Sequence, residues 1–211
     1  MTPSSYHTHT TFCDGKDSPE ELVLEAIRLG CPKIGFSGHA HTAFDESWCM
    51  SVGGTKEYID CINSLKTKYA DKIKVLLGIE QDYFSDAPTE GYDYIIGSVH
   101  YVKKDGVYLP VDESHEIQLR IVKEHYMGDF YAFCEDYFAL VGDVYNKTKC
   151  DIVGHFDLIE KFNETGDLFD RSSPRYRAAA DTALDKLLQT GVKFEVNFGA
   201  VACGYRSEPY P

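Results

Sequence analysis

The sequence has no run of about 18 apolar residues, the length that a membrane-spanning helix requires. Its first ten residues, MTPSSYHTHT, lack the basic region and apolar run of a secretory signal peptide. The seven cysteines are an odd number and none stand in a C-x-x-C pair, which argues against a disulfide framework and a thiolate zinc site. We therefore expect a protein of the reducing cytoplasm with no membrane segment.

Positive charge is also scarce. The sequence has 21 lysines and arginines but 34 aspartates and glutamates, which gives a net charge of −13. Such a chain repels nucleic acid backbones at long range, which disfavours a nucleic acid partner but does not exclude a small phosphorylated substrate. The 211 residues, 43% of them apolar, predict a single domain over residues 1–211 with a substantial hydrophobic core.

Several motifs of phosphate and hydrolytic chemistry are missing. There is no G-x-G-x-x-G, no P-loop and no H-E-x-x-H helix. A cysteine-nucleophile phosphatase would need C-x₅-R, and Cys203 and Arg206 are too close together for it. An aspartyl-phosphate enzyme would need D-x-D after the first strand, where H-x-H stands instead.

Short apolar runs alternate with amphipathic segments along the chain, which is typical of repeated βα units. The runs are rich in Val, Ile and Leu, as expected for strands buried on both faces, and favour a parallel barrel, with an open doubly wound sheet as the alternative. Six strands are predicted, at Ser4–His9, Lys33–Ser37, Lys74–Ile79, Tyr94–Val99, Asp151–Val153 and Val192–Val196. Helices are predicted from a capping box at Ser18 to Gly30, and over Thr55–Tyr69, Glu116–Tyr126, Asp129–Thr148 and Ser173–Thr190.

Polar residues that bind metals follow nearly every predicted strand at its carboxyl end, and in a βα barrel these ends meet on one face. They are His7, His9, His39, Glu80, His100 and His155. Residues i and i+2 of a strand face the same way, so His7 and His9 can reach one ion. Imidazoles with a bridging carboxylate suit zinc, iron, manganese or nickel, so we predict a divalent metal centre. Asp14, in CDGK, is either a turn residue or a further ligand, and His41, His115 and His125 are expected to be solvated.

The ordered motifs resemble the polymerase and histidinol phosphatase (PHP) superfamily, and within it the histidinol phosphatases. The resemblance rests on HTH with Asp14, GFSGHA, GIEQDYF, GSVHYV and DIVGHFDL, together with FDESWCMS and GHFDLIEKFN, and covers the whole chain. It implies a distorted (β/α)7-type barrel with two to three metal ions and hydrolysis of L-histidinol phosphate to L-histidinol and phosphate. By resemblance, His7, His9 and Glu80 hold the first metal, Glu80, His100 and His155 the second, and Asp14 and His39 the third.

Two positions depart from the family pattern. Gly38 stands where members carry an acid before the histidine, so we expect His39 to be held less firmly. No Asp-x-His follows Asn197, although the family has a further strand ending in that motif. We therefore expect a shortened barrel that lacks its last strand, with open edges that could pair in a homo-oligomer.

Metal-activated water is the expected nucleophile, with Glu80, His100 and Arg206 in catalytic roles. Arg206 and Arg171 are the candidates for binding phosphate, because a guanidinium pairs with two phosphate oxygens. Tyr101 is a candidate for contact with the substrate; Phe44, Trp48 and Phe156 either line the same pocket or belong to the core. Two alternatives stay open, a general phosphoesterase of small phosphates and an inactive metal-binding module.

Overall fold

A computed structural model describes residues 4–210, and the chain divides after Ile96 into two compact units, called here the first and the second unit. No helix of the described residues is both long and apolar enough to cross a membrane. The described helices and strands are α1 (Pro19–Arg28), β1 (Lys33–Phe36), α2 (Val52–Lys68), β2 (Lys74–Asp82), β3 (Tyr94–Ser98), β4 (Tyr101–Lys104), β5 (Val107–Pro110), α3 (His115–His125), α4 (Phe130–Val141), α5 (Val144–Thr148), β6 (Ile152–Val153), a 3-10 turn (Leu158–Glu160), α6 (Pro174–Leu188), β7 (Lys193–Phe194) and α7 (Gly199–Ala202).

In the first unit, β2 lies between β1 and β3, and β1 pairs with β2 in parallel. Helices α1 and α2 cover these strands, because their apolar faces bury Val23, Tyr58 and Ile62 against Phe36 and Leu77. Helix α1 begins at the predicted capping box, where Ser18 Oγ accepts from the Glu21 N–H and the Glu21 side chain accepts from the Ser18 N–H.

The second unit begins within β3, where the Gly97 carbonyl accepts from the Gly154 N–H just after β6, and β6 pairs in parallel with β7. Helix α4 packs on α6, with the rings of Phe138 and Tyr176 5.3 Å apart. The expected α/β class with parallel strands is thus confirmed, and five of the six predicted strands are present.

The prediction of a first strand over Ser4–His9 is wrong. Only Ser5 forms a bridge, with Ile34, and two hydrogen bonds run from Gly35 N–H to the Ser5 carbonyl and from Ser37 N–H to the Thr8 carbonyl. The acceptors Ser5 and Thr8 are three positions apart, whereas the donors Gly35 and Ser37 are two positions apart. The segment before β1 therefore contains one extra residue, which interrupts regular pairing. The segment still runs beside β1.

Two other elements differ from the prediction. The helix expected over Asp129–Thr148 is broken into α4 and α5 at Gly142, where an added Cβ would lie 3.0 Å from the Ala183 backbone. Strands β4 and β5 form an antiparallel hairpin that was not predicted. Its two-residue turn, Asp105-Gly106, has positive φ at both positions, which is the preference of a type I′ turn.

Candidate functional site

The first unit brings four of the predicted ligands together by simple strand geometry. The parallel pairing of β1 with β2 continues beyond the end of β1, where His39 bridges Glu80 in the same register. On the other side of β1, the extended segment from Ser5 to Thr8 carries His7 and leads to His9. The rings of His7 and His9 lie 5.1 Å apart, and those of His9 and His39 lie 4.2 Å apart.

One carboxylate oxygen is the centre of this histidine cluster. Glu80 Oε2 lies 3.0 Å from His7 Nε2, 3.1 Å from His9 Nε2 and 3.0 Å from His39 Nδ1. The Glu80 side chain is fully buried. Ligand atoms that sit about 2.0–2.2 Å from one ion at right angles lie about 3 Å from one another. His9, His39 and Glu80 place ligand atoms within 4.8 Å of one another, and this mixture of nitrogen and oxygen donors fits a divalent metal ion.

Asp14 lies against the outer side of this cluster. Its Oδ1 is 2.7 Å from His9 Nδ1 and its Oδ2 is 3.6 Å from His39 Nε2. Burial pushes the pKa of Asp14 up, but hydrogen bonds to His39 and His9 outweigh it, and the pKa lies well below its usual range. The loop that carries Asp14 is tightly packed at Gly15, where an added Cβ would lie 2.4 Å from the Thr10 backbone nitrogen. Of the two interpretations left open, this geometry favours a functional carboxylate over a turn residue.

Asp14 has two possible relations to a metal. It can ligate an ion itself, or it can accept the Nδ1 proton of His9 while His9 Nε2 faces the ion. The second arrangement is common among metal-binding histidines, because a carboxylate partner fixes the ring orientation.

Near the cluster, Cys13 was not among the predicted site residues, and the contact of Trp48 with His39 was not predicted. Cys13, His9 and Asp14 place ligand atoms within 4.8 Å of one another, and the ring of Trp48 meets that of His39 edge-on at 4.4 Å. The scattered cysteines gave no spacing signal for Cys13. The sequence places Trp48 either in the pocket lining or in the core, and neither prediction includes its contact with His39. A side chain at Gly38 would meet Met50 at 3.3 Å and the Cys13 sulfur at 3.4 Å.

The second unit brings His100 and His155 together. His100 follows β3 and His155 follows β6, both are buried, and their rings lie 5.0 Å apart. His155 has a φ of 22°, a strained value for a residue other than glycine, and its N–H donates to Glu195 Oε1 at 2.9 Å. Glu195 lies in the last predicted strand, Val192–Val196, but was not predicted to have a role in the site.

A buried tyrosine fixes the turn after His155. The Tyr137 hydroxyl donates to the Phe156 carbonyl at 3.1 Å and accepts from the Leu158 N–H at 3.2 Å. This network holds His155 in its strained conformation.

The two predicted phosphate-binding arginines both contact Glu160 in the second unit. Arg206 is 8% exposed, and its Nη1 lies 3.6 Å from Glu160 Oε2 and 3.7 Å from Asp157 Oδ2. Arg171, which is more exposed, donates from Nη1 to Glu160 Oε2 at 3.3 Å. Burial, with the neighbouring charge of Glu160, raises the pKa of Asp157 to about 7, although Arg206 opposes the shift.

A cavity of about 670 Å³ lies in the second unit, and Glu160, Asn163, Phe169 and Arg171 are among its lining residues. Tyr101 is buried in β4 and does not line this cavity.

The remaining histidines with described contacts have carboxylate neighbours away from the two histidine groups. His115 Nε2 lies 3.1 Å from Asp167 Oδ2, and His41 Nε2 lies 3.5 Å from Glu46 Oε1. Neither residue belongs to a group of metal-binding side chains found among residues 4–210.

Comparison with known proteins gives consistent matches over most of the chain. A family model described as "PHP domain" matches residues 5–198. A Deinococcus radiodurans protein named "Probable histidinol-phosphatase" is 28% identical over 97% of this chain and 76% of its own length. A Lactococcus lactis protein named "Histidinol-phosphatase" is 27% identical over 77% of this chain and 59% of its own length. The crystal structure of hisK from Listeria monocytogenes has a TM-score of 0.82 and 22% identity, covering 99% of this chain and 87% of that one, and supports the fold.

Proposed function

The chain belongs to the PHP domain family, and on this premise we propose that it is a metal-dependent histidinol-phosphatase that hydrolyses L-histidinol phosphate to L-histidinol and phosphate. The observation that carries the proposal is the approach of three imidazole nitrogens to one buried oxygen of Glu80. A fully buried carboxylate inside a cluster of imidazoles is costly for stability alone, which favours a metal-binding role.

Divalent metal ions, when bound, lower the pKa of water and hold phosphate oxygens, which is the chemistry that phosphomonoester hydrolysis needs. In the first unit, His7, His9, His39 and Glu80 are the proposed ligands. In the second unit, His100 and His155 are the proposed ligands. Whether the ions are zinc, iron, manganese or nickel depends on supply as much as on these donors.

The other polar residues have supporting roles. Asp14 accepts the Nδ1 proton of His9 or ligates an ion itself. Arg206 holds the phosphate group. Its guanidinium is buried, so water competes less for its donors, and its planar fork matches the phosphate oxygens. Arg171 is the second, more exposed candidate for the same group. Tyr101, which is buried in β4, stays a candidate for contact with the substrate away from the 670 Å³ cavity.

The test is phosphate release from L-histidinol phosphate by the metal-reconstituted protein, with a nucleoside monophosphate as the second substrate. His100→Ala should abolish release, whereas His115→Ala, which removes a histidine paired with Asp167, should leave it unchanged. Equal rates on both esters would replace the proposal with a general phosphoesterase. Absence of release from either ester, with metal bound, would replace it with an inactive metal-binding module.

A further inference from the structure

Glu160 is a buried carboxylate in contact with three polar side chains. Its Oε1 accepts from the Tyr176 hydroxyl of α6. Its Oε2 accepts from Arg171 Nη1 at 3.3 Å and lies 3.6 Å from Arg206 Nη1. Glu160 itself is 5% exposed, and its contact with the buried Arg206 is shielded from water, whereas Arg171 is more exposed. In the sequence it follows His155 by five positions in LIEK, where it resembles an ordinary surface acid of a short turn.

Arg206 is held in place but retains unused hydrogen-bonding capacity. Its guanidinium stacks on the ring of Tyr210 at 4.6 Å, and the next residue, Ser207, donates from its N–H to Glu164 Oε1 at 3.1 Å. Neither Nε nor Nη1 of Arg206 hydrogen bonds any group in residues 4–210, although both atoms are buried. A buried guanidinium whose donors lack hydrogen-bond partners lowers stability unless a ligand accepts from them. The two donors therefore indicate a binding site for an anionic group.

We propose that Glu160 is a positioning residue that holds the guanidinium groups of Arg206 and Arg171 in place for the phosphate group of the substrate. The proposal rests on the function proposed above, since that function supplies the phosphate ester. Tyr176 completes the arrangement, because its hydroxyl fixes one oxygen of Glu160 and leaves the other to face both arginines. A guanidinium held by a carboxylate loses less side-chain freedom when it binds phosphate.

The charge of Glu160 and a positioning role of Glu160 predict opposite effects of its neutralisation on phosphate binding. Glu160 is negative, so neutralising it without moving the arginines should strengthen binding of an anion. If Glu160 positions the arginines, the same substitution should weaken binding despite the removed charge. The direction of the change therefore separates a positioning role from a role in charge balance.

The experiment measures binding of inorganic phosphate to the metal-loaded protein by calorimetry, together with KM and kcat for L-histidinol phosphate. For Glu160→Gln we expect the Kd for phosphate and the KM to rise about tenfold, as when one charge-assisted contact is lost, while kcat falls about threefold or less. Tyr176→Phe keeps the charge and should raise both constants about threefold. Glu135→Gln removes an acid that pairs with the exposed Arg175 and should change neither constant.

A Kd for phosphate that stays the same or falls in Glu160→Gln would overturn the proposal. If that variant does not fold, an unchanged Kd in Tyr176→Phe would overturn it as well. The phosphate measurement also separates the two proposals: weaker phosphate binding in the variants of a protein that does not hydrolyse L-histidinol phosphate would reject the proposed function and retain the positioning role.

Discussion

Replacing Glu80 with Gln should remove most of the stabilisation that metal gives to this protein. Glutamine has nearly the size of glutamate, so the packing of the fully buried side chain is kept. What is lost is the negative charge at the oxygen that lies 3.0–3.1 Å from the nitrogens of His7, His9 and His39. The change therefore tests the metal centre with little disturbance of the fold.

The size of the effect follows from ligand linkage. Loss of a residue that only orients a ligand lowers metal affinity about 10–100-fold, so loss of a charged ligand should cost about 100-fold or more. Metal at 100 times its Kd stabilises the native protein by about 2.7 kcal/mol, whereas metal at its Kd gives only about 0.4 kcal/mol. For a chain of this length, these values correspond to increases in Tm of about 5–11 °C and about 1–2 °C.

The assay is thermal melting of the metal-stripped protein with and without added metal, together with the metal content after dialysis. Glu57→Gln, the same change at an exposed position of α2, is the control and should keep the full increase in Tm. An equal increase in Glu80→Gln, at the same metal concentration, would refute the assignment of Glu80 as a ligand.

Two further substitutions test the framework around the histidines. Tyr137→Phe leaves the Phe156 carbonyl and the Leu158 N–H without their partner and should cost about 1–3 kcal/mol; an unchanged Tm would contradict this. Gly78→Ala places a Cβ 2.3 Å from the Tyr94 ring and should lower the unfolding free energy by about 1–3 kcal/mol, seen in denaturant melts. Gly53→Ala, which has open space around it on α2, is the matched control and should not destabilise.

The sequence was informative where local pattern and strand geometry decide the outcome. His39 and Glu80 were predicted to be neighbours because both follow buried strands, and the parallel register brings them side by side. The capping box at Ser18 marked the start of α1 correctly. The Asp105-Gly106 dipeptide is itself a hairpin signal, although no hairpin was predicted there.

Features that depend on distant contacts could not be predicted. The residue that interrupts pairing between Ser5 and Thr8 shows only in the hydrogen bonds to β1. Gly142 ends α4 close to the Ala183 backbone of α6, which no local propensity reveals. The sequence could not show that Arg206 is buried while Arg171 is exposed, because this difference results from tertiary packing.

The proposed substrate is an anion, yet the chain has a net charge of −13. At physiological ionic strength, exposed charges separated by more than about 8 Å are largely screened. A small phosphate ester is therefore governed by charges close to it, and a desolvated guanidinium such as Arg206 counts for more than several distant surface acids. A long polyanion would meet the acidic surface at many points, each unfavourable. The same composition is thus consistent with selective binding of a small phosphate ester and with exclusion of nucleic acid.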